Sequence, residues 1–431
     1  MREGWIISNN EIVTVAAFDD VDNSKPVNAL ESENLIMNRY PYDKGGEILK
    51  TEELLTGEHR YITVVVKDQK SVSGVIEAMD KATIGFEESL NGEIITPYES
   101  VLATYSETLL ENQEAGAQKV VNLLICDVNA DSTSLSHVCF EMAGNRISHE
   151  LILSSSVPEG GHSYLRTVCE FAFAESKLDT KPEKEDMEQV MKVISNQSHR
   201  LSGNYDQYLF EIEEDGKDTI GNIGGEKLRN QSPLSYHHVY SAFSSLSSSI
   251  TKALDDIKDL DKVDAVVITG DFGKIFMLQW LVSELTGLKK QQIIVDGTNS
   301  YCLKGAGLLA AGKVSFVRKS RNSIFIKKMG GKKILLTREG QELSSQVPTK
   351  GDGLFSGILP CSEMEFNFLI KRRGDSGFEE VSDFQVSINK QLIGYCNGDL
   401  IFNHLLQCAE LILTNPTSGY RSFFRLKQLY A

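Results

Sequence analysis

The run VVITGDFGKIFMLQWLVSELTG, Val266–Gly287, with GTNSYCLKGAGLLAAGK, Gly297–Lys313, after it, decides how this chain is read. Ala265–Thr269 is a β-branched run that stops at Gly270, and a helix begins at Ile275, which is the strand-turn-helix unit of a parallel sheet. Upstream, Val239, Phe243, Leu246, Ile250, Leu254 and Ile257 recur every three or four residues, the stripe of an amphipathic helix. Further back, Val121–Val128, Leu135–Phe140 and Arg146–Leu153 read as an antiparallel meander, with a turn at Ala143-Gly144-Asn145 and a helix after Gly160-Gly161. The opening segment repeats the theme. Trp5–Ile7 and Ile12–Phe18 form a hairpin, and Tyr61–Val66 leads into a helix near Ser71–Ala82, so two related α/β halves are expected.

The chain has 431 residues, 41% hydrophobic and 24% charged, enough for two or three domains. Its net charge of -16 argues against nucleic acid as the main partner, because that binding draws on clustered Lys and Arg. No apolar run is long enough for a transmembrane segment and no signal segment opens the sequence, so a cytoplasmic protein is expected. The seven cysteines are scattered and read as reduced thiols; the eight histidines include no HExxH pair, and no metal site is expected. After Lys313 the composition changes: nine Lys or Arg and no acid fall between Lys313 and Arg338, a candidate surface for an acidic partner. Short β-like runs then continue to about Tyr395. The expected domains are therefore residues 1–313, a β-rich domain over 323–395 and an extension over 396–431.

The Val266–Lys313 segment resembles the adenosine-binding signature of the DnaK-type heat shock protein 70 family, within the actin-like ATPase superfamily. Gly270 is kept, Asp271 stands where the family has a second glycine, and Gly305-Ala306 is intact. Leu123–Val138 resembles the family's second phosphate motif, Val157–Leu165 its third, and Gly4–Phe18 occupies the place of the first. The resemblance implies a two-lobed actin-like, ribonuclease-H-like α/β body over residues 1–312, followed by a small β-sandwich, with a nucleotide cleft drawn from Asp127, Gly160, Gly161, Gly270, Asp271 and Ser202.

The same comparison implies lost catalysis. Ile6, Ser8 and Asn9 replace the Asp, Gly and Thr of the family's first hairpin, Asn129, Ala130, Asp131 and Ser132 its second glycine run, Thr96 a Glu, and Ser195 and Ser198 the ribose contacts. An isoleucine cannot orient a hydrated magnesium ion, and Asp131 would repel a triphosphate. The expectation is a chaperone-like pseudo-ATPase that binds another protein or peptide and needs no cofactor beyond residual ATP or ADP. A divergent ATP-dependent chaperone and an actin-like adaptor of a membrane-linked or filamentous assembly are the competing readings.

Overall fold

The computed structural model describes residues 2–7, 11–17, 37–41, 61–66, 92–112, 120–177, 181–197, 219–223, 232–255, 257, 260–296, 300–320, 322–327, 331–343, 355–359, 363–372, 377–404 and 408–426. The expected helix near Ser71–Ala82 lies outside them. The fold is mixed α/β, with several sheets and, among the described residues, six helices. It divides into two compact units: Met1–Leu110 with Gly144–Ser148 and Leu303–Ala431, and Glu111–Ala143 with His149–Cys302.

In the first unit, β1 (Arg2–Ile7), β2 (Glu11–Ala17), β3 (Met37–Pro41), β4 (Tyr61–Val66) and β5 (Gly92–Ile95) form a sheet of order β3-β2-β1-β4-β5. The β1–β2 and β2–β3 pairs are antiparallel, β1–β4 and β4–β5 parallel. Helix α1 (Pro97–Asn112) follows. Thr96 and Glu99 cap its start reciprocally: the Thr96 N–H and hydroxyl donate to the Glu99 carboxylate at 2.8 and 3.0 Å, and the Glu99 N–H donates to Thr96 Oγ1. Pro97 loses nothing at the first helical position, where no partner awaits its missing N–H.

The second unit repeats this order. It contains β6 (Val120–Val128), β7 (Thr133–Ala143), β8 (Arg146–Val157), α2 (Gly161–Glu175), α3 (Lys184–Gln197), β9 (Thr219–Ile223), β10 (Ser232–Ser235), α4 (Tyr236–Asp255), β11 (Ala265–Thr269), α5 (Phe276–Thr286) and β12 (Ile293–Val295). Its main sheet has six strands, five of which run β8-β7-β6-β11-β12 with a short sixth beyond β8; β6–β7 is antiparallel and β6–β11 and β11–β12 are parallel, so these five follow the order of the first sheet. Central β11 is buried throughout, as a β-branched run flanked on both sides must be. The α4 stripe of Val239, Phe243, Leu246, Ile250 and Leu254 joins α2's Tyr164, Leu165, Val168 and Phe173 in one core. Among the described residues five cysteines are buried, Cys126, Cys169, Cys302, Cys396 and Cys408, and burial, with Asp127 adding to it, pushes the Cys126 thiol up to about 12. Such thiols are inert.

Helix α6 (Ser300–Ala310) leads back into the first unit, where Lys304 Nζ meets Glu107 at 2.7 Å. The link that follows is pinned along its length. Strand β13 (Ser315–Phe316) pairs in parallel with Arg146 and Ile147, and the Ser320 N–H donates to Gln341 O at 2.8 Å. Beyond it, β14 (Asn322–Lys327), β15 (Lys333–Thr337), β17 (Glu363–Arg372) and β18 (Glu379–Ser387) form one antiparallel sheet, and β16 (Phe355–Leu359), β19 (Gly394–Asn403), β20 (Cys408–Thr414) and β21 (Arg421–Leu426) form another. Ile324, Ile326, Phe366, Phe368 and Ile370 meet Leu400, Phe402, Ala409, Leu411, Leu413 and Leu426 in one core. Residues 396–431, set apart as an extension by composition, thus supply most of β19 and all of β20 and β21. A fragment spanning 314–431 is expected to fold by itself, with dispersed amide resonances, and one ending at Tyr395 to stay unfolded, since it lacks Leu400, Phe402, Leu411, Leu413 and Leu426 of the apolar core.

A buried charge cluster ties this β-rich part to α1. Arg318 donates from Nη1 to Glu99 and from Nη2 to Glu93 at 3.2 Å, and its guanidinium lies 5.0 Å from the Phe316 ring centroid. Both carboxylates are less than 10% exposed. His404 pairs with Glu93 across an isolated bridge, its carbonyl accepting the Ile94 N–H at 3.1 Å. Burial, then the charge of Arg318, lowers its pKa from 6.5 to about 4 against the opposing pull of Glu99. His404 therefore stays neutral in the fold while the unfolded chain protonates near pH 6.5. The associated stability is full above that pH, falls as pH drops towards 4 and is gone below it. Urea unfolding of wild type against His404→Asn is expected to show wild type losing about 3 kcal/mol relative to the variant between pH 7.5 and 4.

Candidate functional site

Parallel strands β6 and β11 end side by side, with Thr269 opposite Asp127, and this corner gathers four of the six expected site residues. Asp127 is buried, and its Oδ1 has no hydrogen-bond partner among the described residues. Gly270 adopts φ +97°, and a Cβ there would lie 2.2 Å from Val128 O and 2.7 Å from Asp127 Oδ1. Gly160 fits against the β6–β7 turn, where a Cβ would come within 2.6 Å of backbone atoms of Asn129, Ala130 and Ser132. Asp271 follows Gly270 but is exposed in the turn. Ser202 and Ser198 lie outside the described residues, as do the side chains of Ile6 and Ser195.

The start of α2 is where an anion cradle would be sought, since helix N-termini present free N–H groups. Here those groups are used internally. Gly161 N–H donates to Asn129 O and His162 N–H to Ala130 O, both at 2.8 Å, while Asn129 N–H closes the turn onto Ser132 O at 2.9 Å. Phe272, anchored by its N–H to Val128 O at 3.1 Å, lays its ring against Gly161 so closely that a Cβ there would fall within 2.4 Å of three ring atoms. His162 stacks edge-on against that ring at 5.4 Å and sits 3.5 Å from Asp131. The corner is filled by the chain's own carbonyls and an aromatic ring.

Two features were not singled out in the sequence. Asp296, buried after β12, accepts from Thr269 Oγ1 at 3.0 Å, from the Ser300 hydroxyl at 2.7 Å and from the Tyr301 N–H at 2.9 Å, so it caps α6 and ties it to β11. An Asp four residues before Ser300, closing the run Ile293–Val295, carried that signal. The second is Phe272, which sequence alone does not distinguish from any turn aromatic. Among the described residues no group of three or more His, Cys, Asp or Glu forms a metal-ligand set.

The basic run is partly occupied. Arg318 is engaged as above, Lys327 meets Glu380 at 3.0 Å, and Lys333 lies 3.6 Å from the Phe378 ring centroid, while Lys313, Lys319, Lys332 and Arg338 are also exposed among the described residues. Among the described residues no helix is long and apolar enough to cross a membrane. No protein-family model matches the chain, and no curated protein matches it.

Proposed function

We propose that this chain is a degenerate actin-like protein of the heat shock protein 70 type, whose nucleotide corner is closed by its own residues and which acts by binding another protein. The single observation that carries the reading is the self-satisfied start of α2: the Gly161 and His162 amides are bonded to the Asn129 and Ala130 carbonyls, and the Phe272 ring lies against Gly161. A phosphate would have to break two hydrogen bonds and displace a ring. The five-strand order of the first sheet recurs within the six-stranded second sheet, which supports the actin-like assignment, because a duplicated sheet of this sense is what a two-lobed ATPase body requires. The two-sheet β-rich part is the natural place for a protein partner.

Purified protein should hydrolyse no ATP above background, and its melting temperature should not move on adding millimolar ATP or ADP with magnesium. A nucleotide bound a hundredfold below the added concentration would raise stability by about 2.7 kcal/mol, easily seen as a shift. A clear rise in melting temperature, or turnover abolished by Asp127→Asn, overturns the reading in favour of a working chaperone ATPase.

A further inference from the structure

A cavity of about 460 Å³ opens where the end of α2 meets the start of α4, lined by Phe171, Glu175, Ser235, His237, His238 and Ser241. Its size falls in the range of small-molecule and side-chain pockets. His238 is buried and its ring is fixed at both nitrogens. Nδ1 accepts the Ser235 backbone N–H at 3.2 Å, so the proton resides on Nε2, which donates to the Glu175 carboxylate. With both nitrogens used, the His238 imidazole has no lone pair left to activate Ser235 or Ser241. What remains is a carboxylate held in place by the His238 Nε2–H, with no lysine or arginine in the lining.

We infer that this cavity binds a cationic group on an alkyl stem, a guanidinium or a primary ammonium. Glu175 supplies the counter-charge, two-thirds exposed towards an incoming ligand while His238 holds it from behind. Phe171, one turn earlier on α2 and 41% exposed, offers its face to the stem and the cation. Ser235 and Ser241 line the same cavity with hydroxyls that can accept from such donors. The last turn of α2 adds the negative end of its dipole. A protein of net charge -16 draws cations towards it in any case. The site uses none of the residues at the Asp127 corner and stands apart from the nucleotide reading.

The test is titration of the full chain with N-acetyl-arginine amide, N-acetyl-lysine amide and the neutral isostere N-acetyl-citrulline amide, followed by amide and imidazole NMR shifts and by calorimetry. The arginine or lysine compound is expected to move the Ser235 amide and His238 ring signals, citrulline not to, and Glu175→Gln to weaken binding at least tenfold with Phe171→Ala weakening it several-fold. An arginine-containing pentapeptide that binds more tightly than the amide identifies a peptide side chain as the occupant; equal affinity identifies a free small cation. Unmoved Ser235 and His238 signals at tens of millimolar, equal binding of citrulline, or unchanged affinity in a folded Glu175→Gln overturns the inference. The wild-type titration keeps the question decidable should a variant fail to fold.

Discussion

Replacing Gly270 with alanine is expected to lower the unfolding free energy of the chain by about 4 kcal/mol. Two costs add. At φ +97° a side chain pays about 1–2 kcal/mol for a backbone conformation that L-residues avoid. The new Cβ would also sit 2.2 Å from Val128 O and 2.6 Å from its carbonyl carbon, backbone atoms of a central strand that cannot rotate away, and forced displacement of that kind costs about 1–3 kcal/mol. Gly287 provides the internal control. It caps α5 at φ +68° with nothing within 4 Å of a would-be Cβ, so Gly287→Ala is expected to cost only about 1 kcal/mol. Urea denaturation of both variants decides the matter. If Gly270→Ala proves no worse than Gly287→Ala, the close approach of β6 and the β11 turn is wrong.

The second large effect is expected at Arg318. Arg318→Met should cost about 3–5 kcal/mol, because it strands the buried carboxylates of Glu93 and Glu99 without their shared cation. Burial by itself would lower the guanidinium pKa, and Glu99 followed by Glu93 more than offsets this, holding it above its ordinary value. Arg318→Lys should recover little, since an ammonium cannot reach two carboxylates as a planar fork does. The triple variant Arg318→Met, Glu93→Gln, Glu99→Gln should regain most of the loss, for no buried charge is then left unpaired. A single variant as stable as wild type in urea unfolding would show that the cluster is hydrated and contributes nothing.

Local periodicity was enough to read the second unit. The β-rich run Val121–Val128, the α4 stripe and the strand-turn-helix at Gly270 are each set within a few residues by local pattern, and all appear where expected. The grouping of Asp127, Gly160, Gly161 and Gly270 comes from the family resemblance, not from local pattern; the structure brings these four to one corner. What occupies that corner was not legible in the sequence. Whether a turn aromatic such as Phe272 points inward or outward depends on neighbours brought together from three separate segments. The end of the β-rich part is hidden in the sequence for a related reason: Cys408–Thr414 and Arg421–Leu426 are short runs placed by pairing, the first with β19 and the second with β20. Arg318 lay hidden in a run of lysines and arginines, since its acidic partners are more than two hundred residues earlier.

That separation has a bearing on how the chain is made. The second unit is nearly continuous in sequence, whereas the first waits for Leu303–Ala431 before its opening sheet gains its last neighbours. Between the emergence of Glu93 and that of Arg318, 225 residues must leave the ribosome, roughly 10–50 s at ordinary elongation rates. Through that interval the first strands are held open with two carboxylates awaiting their cation, while the middle of the chain is already able to fold. The salt-bridge cluster and the strand partners supplied by Leu303–Ala431 are therefore the contacts of the first unit that form last during synthesis.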